Sequence, residues 1–310
     1  MRTTLTLGTN FYPAQGGEGR RQQAAQDSWR LLPGVDLVDV QFARDPARLD
    51  LPGFRRVDTL RRDSRELTGV AGKRKPLMSE LFDALAHQAL AAGHERFAFA
   101  NADIVLGPSF VETVRAGAAA GSRAQVFSRV DFPGEIAGNE EMIFPGQDVF
   151  VLDVRWWLDN RWRFRPYIIG EVGWDNVYTS ILLRHAPGAR LHNRVGHARH
   201  EIHENAWYAS PFEPYNTFLI TLDSYYFRDW CEYCGELRRL RGGGLLGGGA
   251  LGDEAAEAAA QLAAYSWRPD VRARLVHWGR VTRAYARLWG AGLRRGRARL
   301  PERRSTYAPA

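Results

Sequence analysis

The chain alternates short apolar runs with longer amphipathic stretches, and that alternation predicts its elements. A strand running into a loop is expected over residues 3–12, a helix over GRRQQAAQDSWRLL (19–32) and a second strand over VDLVDVQFA (35–43). The loop GKRKP (72–76) places Pro76 where the first turn of a helix tolerates it, so a helix is expected over 77–93, stopped by Gly93. RFAFA (96–100) reads as a strand directly after it, and QVFSRVDF (125–132) and QDVFVLDV (147–154) as further strands. Residues 169–185 read as a loop entering a helix with Asp175 as N-cap. Strands alternating with helices predict an α/β fold with a mostly parallel sheet flanked by helices.

Composition narrows the class. With 310 residues, 45% of them hydrophobic and ten tryptophans, the chain can bury a full core and carry an appendage. No basic segment followed by an apolar run opens the chain, and no stretch approaches the ~20 apolar residues of a membrane span, so a cytoplasmic protein is expected. The net charge of +7 is uneven: residues 271–310 hold eleven arginines against one acid, Glu302, which is +10 and leaves −3 for residues 1–270. A nucleic-acid-binding body is therefore not expected, and an RNA-binding module would have to act through the tail. Glycines crowd residues 242–252. The expected organisation is a catalytic domain over 1–235, a Gly-rich linker over 236–252 and a helical, Arg-rich region over 253–310. Within that region a basic amphipathic pattern over 271–299 offers either a peripheral contact with the inner face of a membrane or a face packed on the catalytic domain.

The candidate chemistry gathers at strand ends. FAFANADIVL (97–106) breaks from an apolar strand into Asn101 and Asp103. Ligands of open α/β sheets collect outside the carboxyl ends of strands. A carboxylate there suits Mg²⁺ or Mn²⁺, which share their coordination with substrate phosphates, whereas an Asx turn would explain the same residues structurally. Asn10 and Tyr12 lie at another strand end, where an aromatic ring could stack on a base. Asp63 could accept from a base N–H or pair with a neighbouring arginine. Lys73, Arg74 and Lys75 could clamp phosphate or be a solvated loop. The histidines 192, 197, 200 and 203 invite a zinc reading, but HEIH has a spacing of three where the metalloprotease helix needs four. Cys231 and Cys234 form a lone C-x-x-C, short of the four ligands of structural zinc.

The order FANADIVL, GQDVFVLDVRWW, IIGEVGWDN and HEIHENAWY resembles nucleotide-diphosphosugar transferases of the glycosyltransferase A (GT-A) fold, closest to uncharacterised bacterial and plant members with N-x-D-I, D-V-F-V, G-W-D-N and a late His segment. The resemblance spans roughly residues 1–215. It implies a metal held by Asp103 and a late histidine, His203 first with His200 and His197 behind it, although Asn101 replaces the first acid of the family's D-x-D. It implies Asp175 as catalytic base with Glu171 in reserve; the strand ends and loops themselves offer Asn10, Tyr12, Asp63, Arg74, Lys75 and Asn101 as donor-site candidates. The expected activity is metal-assisted transfer of a sugar from a UDP- or GDP-sugar to a glycan or lipid-linked hydroxyl acceptor. A nucleotide-sugar-binding protein without turnover and a His-rich metal-dependent hydrolase are the alternatives.

Overall fold

The computed structural model describes residues 5–44, 49–132, 142–192, 196–203 and 210–231, together with Arg283 and Ala286. The expected linker over 236–252, Cys234 and, apart from Arg283 and Ala286, the amphipathic pattern over 271–299 lie outside these residues. The chain builds β1 (Leu5–Thr9), α1 (Gly16–Arg30), β2 (Val35–Phe42), β3 (Arg55–Leu60), α2 (Ser64–Thr68), α3 (Met78–Ala91), β4 (Arg96–Ala100), β5 (Ile104–Leu106) and α4 (Phe110–Ala119). It continues through β6 (Ala124–Phe132), β7 (Met142–Asp153), α5 (Val154–Asn160), α6 (Trp174–His185), β8 (Arg190–His192), β9 (Ala198–Glu201) and α7 (Glu213–Leu222). Among the described residues no helix is long and apolar enough to cross a membrane.

One sheet runs β3-β2-β1-β4-β7-β6-β9-β5, with β8 also paired to β6. Among the described residues five of the eight pairings are parallel, so the fold is mixed and mostly parallel, as the alternation of strands and helices predicts. Central strands of such a sheet are covered on both faces and read as continuous apolar runs. LTLGT of β1 and RFAFA of β4 are buried throughout. On one face α3 drives Phe82 among Phe97, Phe99, Phe150, Trp157 and Tyr178, with ring centroids 5.2–5.8 Å away. On the other, Trp29 of α1 packs on Phe11 and Phe54, and its indole N–H donates to the Ile104 carbonyl at 2.9 Å.

Several boundaries differ from the sequence reading. α1 begins at Gly16 instead of 19, because its first turn is GGEG and gives no apolar period. β7 begins at Met142 instead of 147, since its first residues are recruited by pairing with β6. Asp175 is not the N-cap of α6: Gly173 is, at φ 77°, and a Cβ there would come within 2.5 Å of Ile220. Asp175 instead lies in the first helical turn, where a carboxylate complements the helix dipole.

The topology fixes where a ligand can sit. From β1 the chain moves outward to β2 and β3, then returns to place β4 on the opposite side of β1. The crevice outside the carboxyl ends of β1 and β4 is thus the switch point of the sheet, the usual ligand position in such folds. Asn10–Tyr12 and Asn101–Asp103 are the residues that follow those two strands.

Candidate active site

Asn101-Ala102-Asp103 makes a tight turn between β4 and β5. The Ile104 amide donates to the Asn101 carbonyl at 3.1 Å, and the Asn101 amide donates to the Asp148 carbonyl at 3.0 Å. The Asn101 side chain does not close its own turn, for its Nδ2 donates to Asp148 Oδ1. Strand register then brings distant groups to Asp103. β9 lies between β5 and β6, with His200 opposite Ile104 on one side and Asp131 on the other. His203 follows two residues after the strand. Asp103 Oδ2 is 3.6 Å from His200 Nε2 and 3.4 Å from His203 Nε2, and the two ring nitrogens are 3.2 Å apart.

These three atoms fit a divalent metal. A point equidistant from them lies about 2.0 Å from each, inside the ~2.0–2.2 Å spacing of imidazole and carboxylate ligands around a first-row ion. Electrostatics agree with a charged site. Burial alone would raise the Asp103 pKa, but hydrogen bonds from His200 and His203 and their positive charge hold it well below the usual carboxylate range. Burial alone would lower the His200 pKa, yet Asp103 and Asp131 outweigh it and push it up to about 9.

A second carboxylate lies on the same network. Asp148 accepts from Asn101 and from Arg129 Nη1, the latter at 2.9 Å, and Arg129 Nε is 2.9 Å from Asp131. Asp175 feels both Asp148 and Arg129: burial first and then the Asp148 charge raise its pKa to about 7, against opposing contributions that include Arg129. Asp103 and Asp175 therefore sit in environments that drive their pKa values apart, one fixed as an anion and the other poised near neutrality. Such a split is how acid–base assignments are made in enzymes.

The other expected residues divide into two groups. Tyr12, exposed at the rim, donates to Glu18 at 2.6 Å, lies close enough to Asp103 to feel its charge, and carries Lys73 Nζ 5.8 Å above its ring. Asn10 is buried and donates to the Val40 carbonyl at 2.7 Å, holding the β1 loop against β2. Asp63 is only 2% exposed and caps α2, accepting from the Arg65 and Glu66 amides and from Arg74 at 2.7 Å. The pairing alternative thus describes Asp63 and Arg74, because both carboxylate oxygens have protein donors and Arg74 also covers Phe42. Lys75 and Glu171 pair with each other at 2.6 Å. His192 contacts Gln125 at 3.0 Å and His197 contacts Ser109 at 3.1 Å, so neither joins the Asp103 cluster.

Sequence reasoning did not single out Asp131, Arg129 or Asp148. The only signal was that all three are charges inside otherwise apolar strand runs, a pattern that buried polar residues share whenever they have partners.

No protein-family model matches this chain, and no curated protein matches it by sequence. Among solved structures, S. aureus TarS 1-349 in complex with UDP-GlcNAc is similar with a TM-score of 0.46 and 10% identity, over 72% of this chain and 66% of that one. The same TarS fragment in complex with UDP gives a TM-score of 0.45 and 11% identity, over 96% of this chain and 92% of that one. The chain thus spans slightly under two thirds of the first of these, and 43% of the longer TarS structure.

Proposed function

We propose that this protein is a glycosyltransferase of GT-A type that moves a sugar from a nucleoside-diphosphate sugar, UDP- or GDP-linked, to a hydroxyl of a glycan or lipid-linked acceptor. The observation that carries the reading is the position of the Asp103, His200 and His203 cluster at the switch point of the sheet, on the same charge network as a carboxylate of raised pKa, Asp175. Asp103 and His203 would hold Mn²⁺ or Mg²⁺, and such an ion neutralises the charge that develops on a departing diphosphate. Lys73 and Tyr12 at the rim stand where the donor would enter, the lysine offering charge to phosphate and the ring a face to a base or sugar. Asn101 does not replace the missing acid as a second anion; it ties the turn to Asp148. Asp175, titrating near neutrality, would accept the proton of the attacking acceptor hydroxyl. A cytoplasmic location with peripheral membrane contact through 271–299 belongs to the same proposal, since lipid-linked acceptors are found there.

The two-imidazole, one-carboxylate set also suits a metal-dependent hydrolase, which one assay separates from the transferase. UDP- and GDP-sugars are offered with Mn²⁺, with and without acceptor glycans, while thermal stability and released nucleotide are followed. A metal-dependent stabilisation by one nucleotide class, with release accelerated by acceptor, supports transfer; binding raises stability by about 2.7 kcal/mol at a hundredfold excess over Kd. Stabilisation without release under any condition identifies a binding protein that has lost turnover. Release that no acceptor accelerates, or activity only on other esters, identifies a hydrolase.

A further inference from the structure

We infer that Asp131 is a positioning residue which fixes the His200 ring so that its Nε2 lone pair faces Asp103, making His200 a full metal ligand and the site selective for transition metals over Mg²⁺. The inference rests on the metal site of the proposed function, but not on the sugar chemistry. Asp131 Oδ1 lies 2.8 Å from His200 Nδ1. The same oxygen is 2.9 Å from Arg129 Nε, and Arg129 is held from its other side by Asp148. A carboxylate engaged by a guanidinium only accepts, so the proton of the shared hydrogen bond belongs to Nδ1. Neutral His200 then carries its lone pair on Nε2, the atom that faces Asp103 Oδ2 and His203 Nε2. A carboxylate behind a ligating imidazole sets its tautomer, its ring angle and its basicity.

The backbone makes the arrangement stiff. Asp131 and His200 are register partners in the parallel pair of β6 and β9, and Ile104 holds the other side of β9. Both side chains are buried. The Asp131–His200 pair is therefore part of the sheet and is not a surface contact. Two imidazoles and one carboxylate are a donor set for Mn²⁺, Co²⁺ or Zn²⁺, whereas Mg²⁺ prefers oxygen and keeps its water.

The test is made on the full chain without nucleotide, so that loss of sugar transfer and loss of metal binding are read separately. Mn²⁺ binding is followed by electron paramagnetic resonance and Mg²⁺ by competition. The expected results are Mg²⁺ at least about tenfold weaker than Mn²⁺, a loss of about 10–100-fold in Mn²⁺ affinity in Asp131→Ala, and a smaller loss in Asp131→Asn, whose carbonyl can still accept from Nδ1. A second readout needs no variant: in the Zn²⁺-loaded wild-type protein, nitrogen–proton correlations of His200 should show a protonated Nδ1 and a metal-shifted Nε2. A protonated Nε2, equal affinities for Mn²⁺ and Mg²⁺, or wild-type affinity in a folded Asp131→Ala overturns the inference. If metal binding behaves as expected while no nucleotide sugar binds, the positioning role stands and the glycosyltransferase reading falls.

Discussion

Lys75 Nζ lies 2.6 Å from Glu171 Oε1, so a residue expected to clamp phosphate neutralises the one expected to stand in reserve as base. The Glu171 side chain is fully enclosed and its Oε1 also accepts from Ser210. The pair joins the loop before α3 to the loop before α6. Lys75→Ala should cost about 2–3 kcal/mol, less than a wholly buried pair because Lys75 is partly exposed, and Glu171→Gln should cost less than Lys75→Ala. Denaturant unfolding of the two variants checks the order.

Asp175 predicts a pH profile. As a base it works only when ionised, and its pKa is pushed up to about 7, so kcat/KM should rise through neutral pH and level off above it. Asp175→Asn should bind donor normally and lose about 10²–10⁴-fold in transfer, with no remaining titration near 7. Steady-state kinetics from pH 5.5 to 8.5 would measure both.

Asp103→Ala removes the anionic member of the cluster. Metal-dependent donor binding should weaken by about a hundredfold or more, and donor-independent stability should fall as well, because the variant leaves His200 and His203 without the carboxylate that answers their charge. Calorimetric titration of donor with and without Mn²⁺ reads the difference; wild-type affinity in the presence of Mn²⁺ would remove Asp103 from the site.

Asp39 gives a stability prediction of opposite sense to that of most carboxylates. Burial outweighs its hydrogen bonds from Gln41 and the Phe11 amide and raises its pKa to about 6. Its folded form therefore holds a proton more tightly than the unfolded chain. The contribution is complete below about pH 4 and is lost as pH rises through 6, by up to about 3 kcal/mol. Asp39→Asn should flatten that slope in urea unfolding measured between pH 4 and 7.

Gly107 is tested by adding one methyl group. A Cβ there would stand 1.7 Å from the Gly196 carbonyl oxygen, while the Gly107 amide donates to the His197 carbonyl at 3.0 Å. Gly107→Ala should push apart the two segments that frame the cluster and cost about 1–3 kcal/mol. Mn²⁺ affinity should fall along with thermal stability.

What the sequence disclosed follows from how locally each feature is encoded. RFAFA is a strand of five buried residues with the boundaries that its apolar run predicts, and Asp103 could be singled out because it interrupts the turn after it. Asp175 was legible as a carboxylate at a helix start, though its offset by two positions from the cap was not, since that depends on Ile220 crowding Gly173. The resemblance ranks His203 ahead of His200 and His197, whereas His203 and His200 lie together beside Asp103 and His197 does not, an arrangement that sequence could not show because Asp103 lies about a hundred residues earlier. Asp131, Arg129 and Asp148 were hidden for the same reason. Their meaning arises from the register of β6 with its neighbour β7 and with β9, and the second of these joins strands far apart in the chain, whose register is set by tertiary packing.

The insertion of β9 between β5 and β6 has a consequence for synthesis. As the chain leaves the ribosome, Asp103 and Asp131 emerge well before residues 198–203, and closing that span costs loop entropy before any pairing compensates for it. Until then β5 and β6 present bare edges, which are templates for pairing with other chains. The cluster thus comes into being as the sheet is sealed, and a nascent chain that holds a cation there has already passed its most aggregation-prone stage.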